Sequence, residues 1–206
     1  MEKKSLSYSD LLEIVNNLRS KEYPHLKILD LCPGDNPLHK FDLKDELYSI
    51  DFDKKSNATH HQNILDEWPA DFSQFDFIYA SHCIEHFYPK ERDLIINKLF
   101  YALKKGGLLF IRVPHFSDIQ GVGWEHHALY GSNSFYSLTH GKNPELPKFK
   151  ILYIGLYYGT IHSFYKKSSF LKKIIHKCLN MSHRLSDLYL CRIIGGISEV
   201  QCLLEK

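Results

Sequence analysis

Between Lys27 and Pro37 the chain reads KILDLCPGDNP, and about twenty residues later SIDFD closes a second apolar run at Asp51. A short apolar run that ends in an acid, breaks at a Gly/Pro/Asn turn and is followed by another run ending in a carboxylate leaves few folds open. In an open α/β sheet, ligands gather outside the carboxyl ends of the strands. A glycine turn there lets backbone approach a ligand, and a carboxylate at the tip of the next strand can accept from two ribose hydroxyls. The pattern predicts a sheet that holds a nucleoside-bearing cofactor through Gly34 and Asp51. A dinucleotide fold would need a full GxGxxG opening a helix, and Pro33, Asn36 and Pro37 break that spacing. A purely structural turn is the remaining reading.

The rest of the chain keeps an α/β rhythm. Ser7-x-x-Asp10 ahead of Leu11, Leu12, Val15 and Leu18 is a capping-box start to an amphipathic helix. Strands are predicted at Lys27–Cys32, Glu46–Asp51, His61–Leu65, Phe75–Ser81 and Gly107–Pro114. A helix is predicted over Arg92–Leu103, with Lys104, Lys105 and Gly106 at its C-terminus. Strands alternating with helices argue a parallel sheet with right-handed crossovers. After Pro114 the rhythm changes to a loop rich in glycine, proline and aromatics, with a short helix near Ser134–Leu138. Two late strands follow, Phe149–Tyr158 and Gly196–Glu205. They flank a basic helical stretch with Phe170, Leu171, Ile174, Ile175, Cys178 and Leu179 on one face.

At 206 residues the chain fits one domain over 1–206, with an N-terminal helical segment at 1–24 and insertions at 115–147 and 160–195 on the acceptor and lid side. The net charge of +2 does not point to nucleic acid or an anionic membrane, although Lys166 to Arg184 carries six cations and no acid. Five separated cysteines without a CxxC pair suggest neither a disulfide framework nor a thiolate zinc site and favour a reducing, cytoplasmic setting. The longest uncharged stretch, Ile151 to Tyr165, is about fifteen residues and too short to span a bilayer.

LDLCPGDNP, SIDFD, FDFIYASHCIEHF and LKKGGLLFIRVPH, in that order, resemble the class I S-adenosylmethionine-dependent methyltransferases, in a small bacterial type 11-like group with an SHxxEHF segment. The resemblance covers Lys27 to about His115. It implies a Rossmann-like seven-stranded sheet, mostly parallel, with a C-terminal antiparallel hairpin, helices on both faces and S-adenosyl-L-methionine as cofactor. It further implies that Asp30 and the turn Cys32, Pro33, Gly34 face the methionine end, and that Asp51, beside Phe52, takes the ribose hydroxyls. Asn63 and Ile64 would lie by the adenine, and Ala80, Ser81 and His82 near the transferring methyl. Cys32 stands where the family usually has the first glycine of GxG, and a side chain there is expected to require negative φ.

His82-x-x-Glu85-His86 also matches the inverted zinc-protease motif, but that motif needs a continuous helix, and Pro89 follows too closely. Some quinone-pathway O-methyltransferases hold a divalent cation at an acidic-x-x-Glu-His segment, and by that resemblance a cation reading of His82, Glu85 and His86 stays open. The preferred reading packs Glu85 and His86 beneath the helix start, with no metal ligand assigned. On the acceptor side stand His115, Asp118, Glu125, His126, His127 and Tyr130. A histidine with an ordinary pKa of about 6.5 suits proton removal from a hydroxyl, and His126, His115 and His127 are the candidates. His126 leads, because its spacing to Tyr130 resembles a family segment that closes over the acceptor. The basic stretch is expected to be the solvated face of a helix that buries Phe170, Ile174, Ile175 and Cys178. A phosphate-bearing acceptor is the second reading of those cations, and nucleic acid is disfavoured. The expected activity is O-methylation of a small polar molecule such as a glycan precursor. A non-catalytic scaffold and an RNA-modifying enzyme are the alternatives.

Overall fold

The computed structural model describes residues 6–19, 24–34, 38, 44–140, 144–159, 169–194 and 196–206. Lys166, Lys167, Asn36 and Pro37 lie outside the described residues, as does part of the expected lid segment. Seven strands form one sheet: β1 (Lys27–Leu31), β2 (Glu46–Asp51), β3 (His60–His61), β4 (Phe75–Ser81), β5 (Leu103–Pro114), β6 (Lys150–Tyr157) and β7 (Glu199–Glu205). Their order is β3-β2-β1-β4-β5-β7-β6. β1 to β5 pair in parallel, and β7 runs antiparallel between β5 and β6. The order reverses between β1 and β4, which opens a crevice at their carboxyl ends.

Side chains alternate across the pleat and so feed two cores. Ile28, Phe77 and Phe110 face α1 (Tyr8–Asn16), packing with its Leu11 and Val15. Their strand neighbours Leu29, Ile78 and Ile111 face α2 (Pro89–Ala102), packing with Ile95 and Leu99. Because both faces are covered, the central strands are mainly apolar and read as nearly continuous runs. The capping box is present, with Ser7 as N-cap and the Asp10 carboxylate accepting from the Ser7 N–H at 2.8 Å.

Three expectations are corrected. The third strand is His60–His61 alone. It ends early because the Asn63 side chain and carbonyl accept from the N–H groups of Leu65 and Asp66, turning the chain away from β2. Lys104, Lys105 and Gly106 belong to β5, not to a helix end: Leu103 already pairs with Phe75. Gly107 lies so close to the Lys104 and Phe75 carbonyls that an added Cβ would sit 3.0 Å from each.

The third correction concerns α3 (Phe170–Met181). Its buried face is His176, Leu179 and Asn180, while Phe170 is 79% exposed and Leu171, Ile174 and Cys178 also face solvent. The reason lies in β6, the edge strand. The Asn180 side chain donates to the Leu156 carbonyl and accepts from the Leu156 N–H, each at 2.8 Å, and a His176 ring nitrogen lies 2.9 Å from the Tyr158 carbonyl. Buried backbone groups without partners are costly, so their satisfaction sets the rotation of this helix.

Candidate functional site

Leu31 pairs with Ile50 on one side and Ala80 on the other, so the next residues, Cys32, Asp51 and Ser81, stand side by side at the carboxyl edge. The Cys32 N–H donates to the Ile50 carbonyl at 2.9 Å, which draws the first turn over β2. Cys32 has φ +55° and Gly34 φ +51°. The expected negative φ at Cys32 is therefore overturned: the turn keeps its left-handed geometry, at a strain of about 1–2 kcal/mol for a residue bearing Cβ. The Cys32 thiol lies beside Cys83, whose own thiol is pushed well up by burial and then by this neighbour.

Asp51 is 4% exposed, and each of its oxygens accepts one backbone N–H, from Gly34 at 3.0 Å and from Asp53 at 2.9 Å. A carboxylate has about four lone-pair sites, so it retains capacity for two hydroxyl donors. Asp30 is buried behind the turn and accepts from the Leu38 N–H at 2.5 Å. Burial raises its pKa to about 7; the Leu38 hydrogen bond opposes this, and the Asp51 charge adds to it. Pro33 is buried under the turn, Gly34 is half-buried and Phe52 is 76% exposed. Past β3, Asn63 is exposed with its side-chain oxygen engaged by Leu65, while Ile64 packs into the core.

At the tip of β4, Ala80 is buried and Ser81 accepts from Arg112 at 3.3 Å. His82 follows with φ +52°, and its Nε2 lies 3.1 Å from Glu199. Burial alone would lower the His82 pKa, but the neighbouring carboxylates of Glu199 and Glu85 outweigh it and raise the value to about 9. Glu199 is buried and accepts from Arg112 through both oxygens, while Arg112 also donates to the Tyr79 hydroxyl at 3.0 Å. Burial would raise the Glu199 pKa, yet Arg112 and His82 hold it at about 2. Sequence reasoning did not single out Arg112 or Glu199. The available signal was a charge inside each of two strands that read as buried on both faces, FIRVPH and SEVQCLLE.

The acceptor-side histidines separate into different environments. His115 is 0% exposed. The Ser117 N–H donates to its Nδ1 at 3.2 Å, which leaves the proton on Nε2 to donate to Asp187 at 3.1 Å. Asp187 in turn accepts from the N–H and hydroxyl of Ser132. Burial raises the Asp187 pKa, but His115 and Ser132 more than compensate and hold it below the usual carboxylate value. His115 therefore ties the loop after β5 to the helical segment near Asp187. His127 is exposed and stacks on Tyr88 with ring centroids 4.0 Å apart, and its N–H donates to the Glu85 carbonyl at 2.8 Å. His126 is half-buried and packs edge-on against His86 at 4.7 Å. Asp118 caps a short helical turn at Gln120, Glu125 is exposed, and the Tyr130 hydroxyl accepts from Arg92. Among the described residues, no helix is long and apolar enough to cross a membrane.

A family model described as a methyltransferase domain matches residues 8–143. No curated protein matches the chain in sequence. Solved structures are similar over nearly the whole chain. A putative sarcosine dimethylglycine methyltransferase from Galdieria sulphuraria aligns with TM-score 0.60 and 16% identity, covering 96% of this chain and 83% of that one. The N-methyltransferase NodS from Bradyrhizobium japonicum WM9, solved with S-adenosyl-L-homocysteine, aligns with TM-score 0.55 and 12% identity, covering 96% and 86%. The plantazolicin methyltransferase BpumL, also solved with S-adenosylhomocysteine, gives 0.57 and 13%, covering 95% and 81%. At these identities the structural likenesses establish the fold.

Proposed function

The chain belongs to the methyltransferase-domain family, whose model covers most of its length, and on that premise we propose that it transfers a methyl group from S-adenosylmethionine to an oxygen of a small polar acceptor. The observation that carries the cofactor assignment is Asp51. It is a buried carboxylate at the tip of β2, fixed by two backbone donors beside a left-handed turn, with acceptor capacity left for the two ribose hydroxyls. Asp30 complements it. A carboxyl that burial raises to about 7 gains most from a cation brought alongside, and the cofactor's methionine end carries an ammonium and a sulfonium. Phe52, Asn63 and Ile64 flank the adenosine side. Cys32, Pro33, Gly34, Ala80, Ser81 and His82 form the wall toward the methyl.

Methyl transfer from a sulfonium is an in-line displacement: the acceptor oxygen bonds to the methyl carbon as the carbon–sulfur bond breaks, and the electron pair leaves on a neutral thioether. The leaving group needs no acid, so the demands are alignment and removal of the hydroxyl proton. An imidazole of the His126–His127 loop takes that proton, while His115, enclosed between Ser117 and Asp187, positions the loop. Lys172, Lys173, Lys177 and Arg184 in the C-terminal insertion favour an acceptor that carries phosphate, such as an activated glycan precursor.

Calorimetry with S-adenosylhomocysteine tests the cofactor site. Replacing two charge-assisted hydrogen bonds, Asp51→Ala should weaken binding by about 100-fold or more while the fold is retained by circular dichroism. Unchanged affinity, or no heat from the parent protein at millimolar ligand, would overturn the reading in favour of a scaffold.

A further inference from the structure

Glu85 is 0% exposed, and among the described residues neither of its carboxylate oxygens has a hydrogen-bond partner. His82 supplies a loose ion pair but no hydrogen bond. His82 Nδ1 lies 3.5 Å from Glu85 Oε1, while its Nε2 is already engaged by Glu199 at 3.1 Å. A buried carboxylate whose oxygens accept no hydrogen bond is costly, and a bound cation would complete it. A second orphan lies beside it: Nδ1 of His126 is buried and also has no partner among the described residues. His86 is the third group, with Nδ1 3.3 Å from the Glu125 carbonyl and Nε2 left as a further donor atom.

These groups converge. One ligand atom from each of Glu85, His86 and His126 lies within 4.8 Å of the other two. The backbone fixes the arrangement. Glu85 and His86 share the single helical turn Ile84–His86. The loop bearing His126 is clamped to that turn by the His127 N–H on the Glu85 carbonyl at 2.8 Å. Ligands about 2.1 Å from a tetrahedral ion stand about 3.4 Å apart, so closure of at most about 1.4 Å completes the geometry.

We propose that Glu85, His86 and His126 bind a divalent transition-metal ion. Two imidazoles and one carboxylate select zinc, iron, cobalt or nickel over magnesium and calcium, which prefer oxygen. The ligand set differs from the one the sequence offers: His82 is withdrawn by Glu199, and His126, forty positions beyond His86, takes its place. The turn begins three residues after Ser81, at the carboxyl edge of the sheet, so the ion stands on the acceptor side. Its role rests on the methyltransferase reading: an acceptor hydroxyl bound to the ion loses its proton more readily, and His127 receives it.

The test uses the full chain after chelator treatment and dialysis, titrated with zinc chloride in a calorimeter and with cobalt(II) in a spectrophotometer. The parent protein should bind one equivalent of zinc at micromolar or tighter affinity, and cobalt should give visible bands of a low-symmetry site. Glu85→Gln and His126→Ala should each weaken zinc at least 100-fold and abolish the cobalt bands, whereas the exposed His61→Ala should change neither. His86→Ala gives the same reading should either ligand variant fail to fold by circular dichroism. Absence of stoichiometric zinc binding, or equal affinity in the ligand variants, overturns the site. S-adenosylhomocysteine binding is measured separately. Its failure alongside intact zinc binding would remove the methyltransfer role and leave the metal site standing.

Discussion

Two carboxylates finish the same edge of the sheet by opposite means. Asp51, at the tip of β2, is held among the described residues by backbone N–H groups and keeps acceptor capacity on both oxygens. Glu199, at the start of β7, is enclosed by the guanidinium of Arg112 and the imidazole of His82. The difference separates a receptor from a clamp. A group meant to meet a ligand is oriented by the main chain, which cannot swing away. A group meant to join strands is consumed by charged side chains.

The largest expected effect lies at the clamp. Glu199→Ala leaves Arg112 buried without its counter-ion and should lower stability by about 3–5 kcal/mol in denaturant unfolding, with the slope unchanged. A loss below about 1 kcal/mol would erase the contrast with Asp51, whose replacement should act on ligand affinity instead. The pH dependence comes next. His82 is raised from 6.5 to about 9 in the folded state, so its stabilisation is full below pH 6.5 and disappears as pH rises through 9. Glu199 is depressed from 4.5 to about 2, so its share is present above pH 4.5 and disappears as pH falls through 2. The His82 share of the unfolding free energy should therefore differ between pH 6 and pH 10 by on the order of 3 kcal/mol, and His82→Gln should remove that part. Asp30, raised to about 7, adds a separate decline between pH 3.8 and 7, which Asp30→Asn isolates. The smallest effect is at the receptor. Cys32→Gly relieves the left-handed strain and should raise stability by about 1 kcal/mol in thermal or denaturant melts. No gain would mean that the lost contact with Cys83 offsets the strain.

The receptor was legible in the sequence and the clamp was not, for a physical reason. Strands β1 and β4 are buried on both faces and so read as mainly apolar runs, and the turn after β1 carries its own punctuation in Pro33 and Gly34. Asp51 is local to that signal. Arg112 and Glu199 meet across 87 positions, and nothing local to either marks the partner. The same holds for Glu85 and His126. The face of α3 was misread because its apolar stripe suggested an inward side, whereas the unpaired backbone of β6 demanded Asn180 and His176. Polar satisfaction at a sheet edge outranked hydrophobic patterning.

That choice has a consequence for life in a crowded solution. By presenting an amide that mimics one residue of a neighbouring strand, Asn180 caps the outermost ribbon at Leu156, so a second molecule cannot begin zippering on there. The helix thus serves as a built-in stopper against edge-to-edge templating, and its outward-turned phenylalanine and isoleucine are the by-product of guarding that border.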